Sequence, residues 1–104
     1  MNINDIKTVS VIGAGDMGHG IAEVALLTGT RVKLYDIKDE FVERGRDRIF
    51  SSVAKLVEKG RVPAELDAAI RGQLLTTTTD LAEAANADLV IEAIPEIMDL
   101  KKQV

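Results

Sequence analysis

The sequence has 104 residues, 46% of them hydrophobic and 29% charged, with a net charge of −4. That is apolar material for one small folded domain, and it excludes disorder and collagen-like repeats. The absence of cysteine excludes a disulfide scaffold, a thiolate metal site and a cysteine nucleophile, and an acidic balance with 3% aromatics lacks the footprint of a nucleic-acid surface.

Residues 1–7, MNINDIK, contain no basic region followed by an apolar core, so no signal peptide is read there. Apolar runs such as 24–27 fall far short of the roughly 20 residues a membrane helix needs. A soluble cytoplasmic domain is expected.

Thr8-Val9-Ser10-Val11-Ile12 is short, β-branched and followed by Gly13, which predicts a buried strand. From Met17 the period changes: Ile21, Val24, Ala25 and Thr28 share one helix face, and Gly29 ends the helix. Arg31–Tyr35 reads as a second strand, with Val32 and Leu34 on one face. A long amphipathic helix is expected over 38–59, with Phe41, Gly45, Ile49, Val53 and Leu56 on its apolar stripe. Pro63 opens a shorter helix that buries Leu66, Ala69 and Ile70 and stops at Gly72. Residues 74–78 form a third strand. Asp80 and Glu83 have capping-box spacing for a short helix to Ala85. Residues 88–91 form a fourth strand, and Pro95 and Glu96 are expected to start a last helix running to Val104.

This order predicts a doubly wound parallel α/β sheet of the Rossmann type, with a helical hairpin inserted after the second strand and the chain stopping after about four strands. The strand order should begin 3-2-1-4, so the fourth strand would lie beside the first. Its outer edge would be unpaired, and self-association is expected from that edge.

Gly13-Ala14-Gly15-Asp16-Met17-Gly18 fits G-x-G-x-x-G between a strand and a helix. Gly13 permits the tight turn, Gly15 lets the backbone approach a pyrophosphate, and Gly18 lets the helix pack on the strand. Such a hexamer alone is a weak signal. Its context strengthens it, because the second strand ends at Asp36, close to the usual spacing for the acid that binds the adenosine ribose. A carboxylate there favours NAD over NADP. The structural alternatives are a plain strand–helix turn for the loop and a helix N-cap for Asp36. Asp16 reads best as the N-cap of the first helix. His19 has no evident acid or nucleophile partner and reads as a partly exposed helix residue. Glu92 is either a ligand-facing strand-end carboxylate or a solvated one.

Three segments then resemble a known family. They are 11–22, VIGAGDMGHGIA; Leu34-Tyr35-Asp36; and 88–96, DLVIEAIPE, followed by Leu100-Lys101-Lys102. Together with the hairpin over 38–72, they resemble the N-terminal NAD-binding domain of L-3-hydroxyacyl-CoA dehydrogenases. The resemblance covers essentially the whole chain, residues 1–104. It implies that Gly13, Ala14, Gly15, Asp16, Met17 and Gly18 hold the pyrophosphate and that Asp36 holds the ribose. It implies that Glu96 and Lys101 contact NAD near the nicotinamide, and that Ser52 and Lys59 touch the CoA part of an acyl-CoA substrate. It also implies a homo-oligomeric enzyme of fatty-acid or butanoate metabolism. The family's catalytic histidine and its glutamate partner belong to a later segment, as does a C-terminal helical domain. No catalytic residue and no metal ligand is therefore assigned within 1–104, and the chain is expected to be a fragment or a short gene product, inactive alone. Two alternatives stay open: an L-gulonate-type dehydrogenase of the same superfamily, whose substrate has no CoA, and a nucleotide-binding module without turnover.

Overall fold

A computed structural model describes residues 7–13, 15–94 and 97–102. Strand β1 (Thr8–Ile12) leads into helix α1 (Asp16–Leu27), strand β2 (Arg31–Tyr35) and the long helix α2 (Asp39–Glu58). Helix α3 (Ala64–Ala69) continues into a π-helical turn (Ile70–Leu74) and strand β3 (Leu75–Thr78). Helix α4 (Leu81–Ala85), strand β4 (Leu89–Ile94) and strand β5 (Ile97–Lys102) complete the chain.

The strands form one sheet in the order β3-β2-β1-β4-β5, parallel except for β5. This is the Rossmann arrangement that the pattern of elements predicts. Right-handed crossovers that step from β1 to β2 to β3 keep their helices on one face of the sheet. The return from β3 to β4, on the far side of β1, puts α4 on the other face. The direction of winding thus reverses between β1 and β4, and such a reversal opens a crevice at the carboxyl ends of the strands.

The main core lies on the first face. Val9, Val11, Val32, Leu34 and Leu75 of the sheet meet Ala22 and Leu26 of α1, Val42, Ile49 and Val53 of α2, and Ile70. The α2 stripe starts at Val42 rather than Phe41, which is half-buried. The opposite face is thinner. There Ser10 and Val90 are register neighbours, both buried. Lys33, in register with Ser10, donates to the Glu83 and Asn86 carbonyls at the end of α4 (3.2 and 2.9 Å) and to the Glu83 carboxylate. A cation on the last carbonyls of a helix meets its negative dipole end.

The last element departs from expectation. Residues 97–102 form β5, antiparallel to β4, instead of a helix begun by Pro95 and Glu96. The physical reason is the edge itself. A short helix makes few internal bonds, whereas the outer ladder of β4 offers a partner to every residue from Leu89 to Ile94. The sheet therefore has five strands, not four. The open β4 edge does not exist, and the self-association argued from it loses its premise.

Candidate dinucleotide site

The glycine loop stands at the reversal point of the sheet. Gly13 has φ of 106°, a left-handed value that a residue with a side chain rarely adopts. Its N–H donates to the Tyr35 carbonyl at 2.8 Å, which ties the loop to the end of β2. A Cβ on Gly18 would sit 1.5 Å from the Gly13 carbonyl oxygen, so only glycine lets α1 approach β1 this closely. Gly15 has the opposite character. A Cβ there would meet nothing within 4 Å and would project into open space beside the helix N-terminus. Gly13 and Gly18 have the structural roles that the spacing predicts.

Gly15, not Asp16, is the N-cap of α1. Its backbone is extended (φ −70°, ψ −162°), and its carbonyl accepts the first intrahelical bond from the His19 N–H at 2.9 Å. Asp16 is then the first helical residue. A glycine cap has no side-chain oxygen with which to occupy the first N–H groups of the helix, and such groups suit an anion. The His19 ring is also engaged: Nδ1 lies 2.9 Å from the Gly15 carbonyl, which can only accept, so Nδ1 carries the proton. His19 is half-exposed, as expected, and braces the loop. Met17, 44% exposed, flanks the same turn.

Asp36 follows directly on β2, one residue beyond the carbonyl that holds Gly13. One of its carboxylate oxygens accepts from the Ile37 N–H at 2.7 Å, and its own N–H donates to Thr78 at 3.4 Å. It does not cap α2, whose N-cap is Lys38. Ile37 is 69% exposed beside it, apolar surface that the sequence reading passed over. Glu92 lies in β4 opposite Ile12, at the level where β1 enters the loop. Asp88, at the start of β4, accepts from the Lys7 and Thr8 N–H groups at 2.8 and 3.0 Å. These backbone donors, Lys7 first, hold its pKa below the ordinary value. No motif singled out Asp88; only the pairing of β1 with β4 brings it to those donors.

Of the remaining expected site residues, Ser52 lies half-buried on α2 and donates to the Glu23 carboxylate of α1 at 2.9 Å. Lys59 is the exposed C-cap of α2. Lys101 belongs to β5, next to Val90 of β4. Ala14 and Glu96 lie outside the described residues. Among the described residues no group of three potential ligands could hold a metal, and no helix is long and apolar enough to cross a membrane.

Residues 8–104 match the family described as 3-hydroxyacyl-CoA dehydrogenase, NAD binding domain. The chain belongs to that family. A probable 3-hydroxybutyryl-CoA dehydrogenase of Deinococcus radiodurans is 45% identical over 91 residues, covering 88% of this chain and 32% of the relative. The 3-hydroxyadipyl-CoA dehydrogenase of Escherichia coli is 44% identical over 102 residues, 98% of this chain and 21% of the relative. Among solved structures, a 3-hydroxybutyryl-CoA dehydrogenase of Escherichia coli superposes with a TM-score of 0.82 at 43% identity, over 89% of this chain and 20% of that one. The (S)-3-hydroxybutyryl-CoA dehydrogenase of Ralstonia eutropha also gives 0.82, at 32% identity, over 89% of this chain and 32% of that one. The chain thus spans about a third or less of these relatives. The family's cofactor is NAD, and the loop fits it: an open cradle at Gly15, a helix N-terminus behind it and a carboxylate at the end of β2.

Proposed function

We propose that the chain forms the NAD-binding part of an oxidoreductase that converts an L-3-hydroxyacyl-CoA to the 3-ketoacyl-CoA, in fatty-acid or butanoate metabolism. The carrying observation is that α2, the inserted hairpin helix, packs on α1, the helix that leaves the glycine loop. The helix that the family resemblance assigns to the substrate is thereby held against the helix that leaves the loop.

When bound, NAD supplies the carbon that accepts hydride. The chain's own residues bind and orient. The backbone of 13–18 takes the pyrophosphate, and Asp36 accepts from the ribose hydroxyls while its charge disfavours a 2′-phosphate. Ile37 offers apolar surface to the adenine. Glu96 and Lys101 are the residues assigned, from the family resemblance, to the nicotinamide end. Ser52 and Lys59 take the CoA. His19 is given no acid–base step, since its ring bonds the Gly15 carbonyl and not a carboxylate. The working enzyme is a cytoplasmic homo-oligomer that draws its catalytic histidine from outside these residues. Titrating CoA into the NADH-loaded chain while following amide NMR signals tests this reading. Shifts along α2 are expected; signals along α2 that ignore CoA would favour a substrate without CoA, as in an L-gulonate-type enzyme.

A further inference from the structure

The Gly15 carbonyl accepts twice from one residue: from the His19 backbone N–H at 2.9 Å and from the His19 ring Nδ1 at 2.9 Å. A carbonyl oxygen has two lone pairs, so the pair of bonds holds it on both. The consequence lies at the other end of the same peptide. None of the described peptide bonds is cis, so the Asp16 N–H points opposite to the Gly15 C=O. The carbonyl points into α1, toward its intrahelical donor. The Asp16 N–H therefore points out of the helix N-terminus, and turning the carbonyl turns this donor with it.

Gly15 needs such a hold. It has no side chain with which to cap the helix, a Cβ there would meet nothing within 4 Å, and glycine has the widest backbone freedom of any residue. A serine or aspartate cap would steady the turn from outside, but its oxygen would occupy an N–H group of the first turn. His19 steadies the turn from inside, four residues along α1, and leaves those groups to an anion.

We infer that His19 is a positioning residue for the diphosphate: its ring fixes the Gly15–Asp16 peptide so that the Asp16 N–H is aimed at a phosphate oxygen before the dinucleotide arrives. This rests on the reading that the loop holds the diphosphate. A donor fixed in advance lowers the ordering cost of binding. The sequence's one histidine, which lies outside the G-x-G-x-x-G hexamer, thus acts on cofactor affinity through Gly15.

The test uses the full chain with ADP and adenosine as separate probes, and NMR titration to obtain each Kd. His19→Ala and His19→Phe both remove the donor, and phenylalanine keeps a ring. Each should weaken ADP roughly fivefold, the scale of one net hydrogen bond, and leave adenosine unchanged. His19→Asn puts an amide N–H in the place of Nδ1 and should restore most of the ADP affinity. A merely structural His19 would lower the melting temperature and weaken both probes alike, and that result would overturn the inference. So would native ADP affinity in His19→Phe, which would assign the effect to the bulk of the ring, or ADP binding in His19→Asn no tighter than in His19→Ala. If ADP binds the native chain no more tightly than adenosine and leaves the Asp16 and Met17 amide signals in place, the loop reading itself fails and the inference falls with it.

Discussion

A single methyl group at Gly18 would meet the Gly13 carbonyl at 1.5 Å, and that partner is backbone, which no rotamer change can move aside. Gly18→Ala should therefore cost about 3 kcal/mol or more, the upper range for overpacking, and lower the melting temperature by more than about 10 °C in a thermal melt. Gly15→Ala, which meets nothing, should melt near the native temperature yet weaken the dinucleotide, so the pair separates folding from binding at neighbouring glycines. Asp88 gives a pH signature. Its pKa is lowered by the Lys7 and Thr8 N–H groups, so the folded state holds the carboxylate more firmly ionised than the unfolded chain does. The stability it contributes is present above the unfolded value, about 3.9, and is lost as pH falls through the lower folded value. Acid melts of the native chain and Asp88→Asn should differ above pH 4 and converge below it; parallel curves throughout would contradict this.

Individual elements were legible to different degrees. The strand–loop–helix over 8–27 was plain as a succession of elements, because β-branched residues, three spaced glycines and a change of period coincide, but its core face is Ala22 and Leu26, and Val24, expected on the shared face with Ile21, is 66% exposed. So was α4, where Asp80 accepts from the Ala82 N–H at 2.9 Å. Asp80→Ala should cost about 1 kcal/mol by removing that cap. A loss below a few tenths of a kcal/mol in chemical denaturation would mean that the cap adds little and that α4 is held from its opposite end by Lys33. The long helix was legible in its core stripe, and Ile49→Ala there should cost about 2–5 kcal/mol. Asp16 and residues 97–102 were not legible. A capping residue type beside a glycine does not reveal which of the two adopts extended backbone. A proline followed by an acid signals a helix start only while no strand edge competes, and the β4 edge is visible only in three dimensions.

At the scale of the molecule, the reversal of winding between β1 and β4 sets the loop, Asp36 and Glu92 at one end of the sheet. That reversal was expected from the order of elements, and so was the place of Asp36 directly after β2. The cross-helix pair Ser52–Glu23 and the clamp at Asp88 were not, since both join residues distant in sequence. Purified 104-residue chain should not oxidise NADH with acetoacetyl-CoA, because His19, the sequence's one imidazole, bonds a backbone carbonyl and not the carboxylate that an acid–base pair needs; steady turnover in a spectrophotometric assay would refute this and make His19 the residue to substitute. The central claim, that the glycine loop and Asp36 form an NAD site, is tested most directly by calorimetry of NAD and NADP against the native chain and Asp36→Ala. The native chain should prefer NAD, and the substitution should weaken NAD more than NADP, narrowing the gap. Tighter binding of NADP than NAD to the native chain would contradict it.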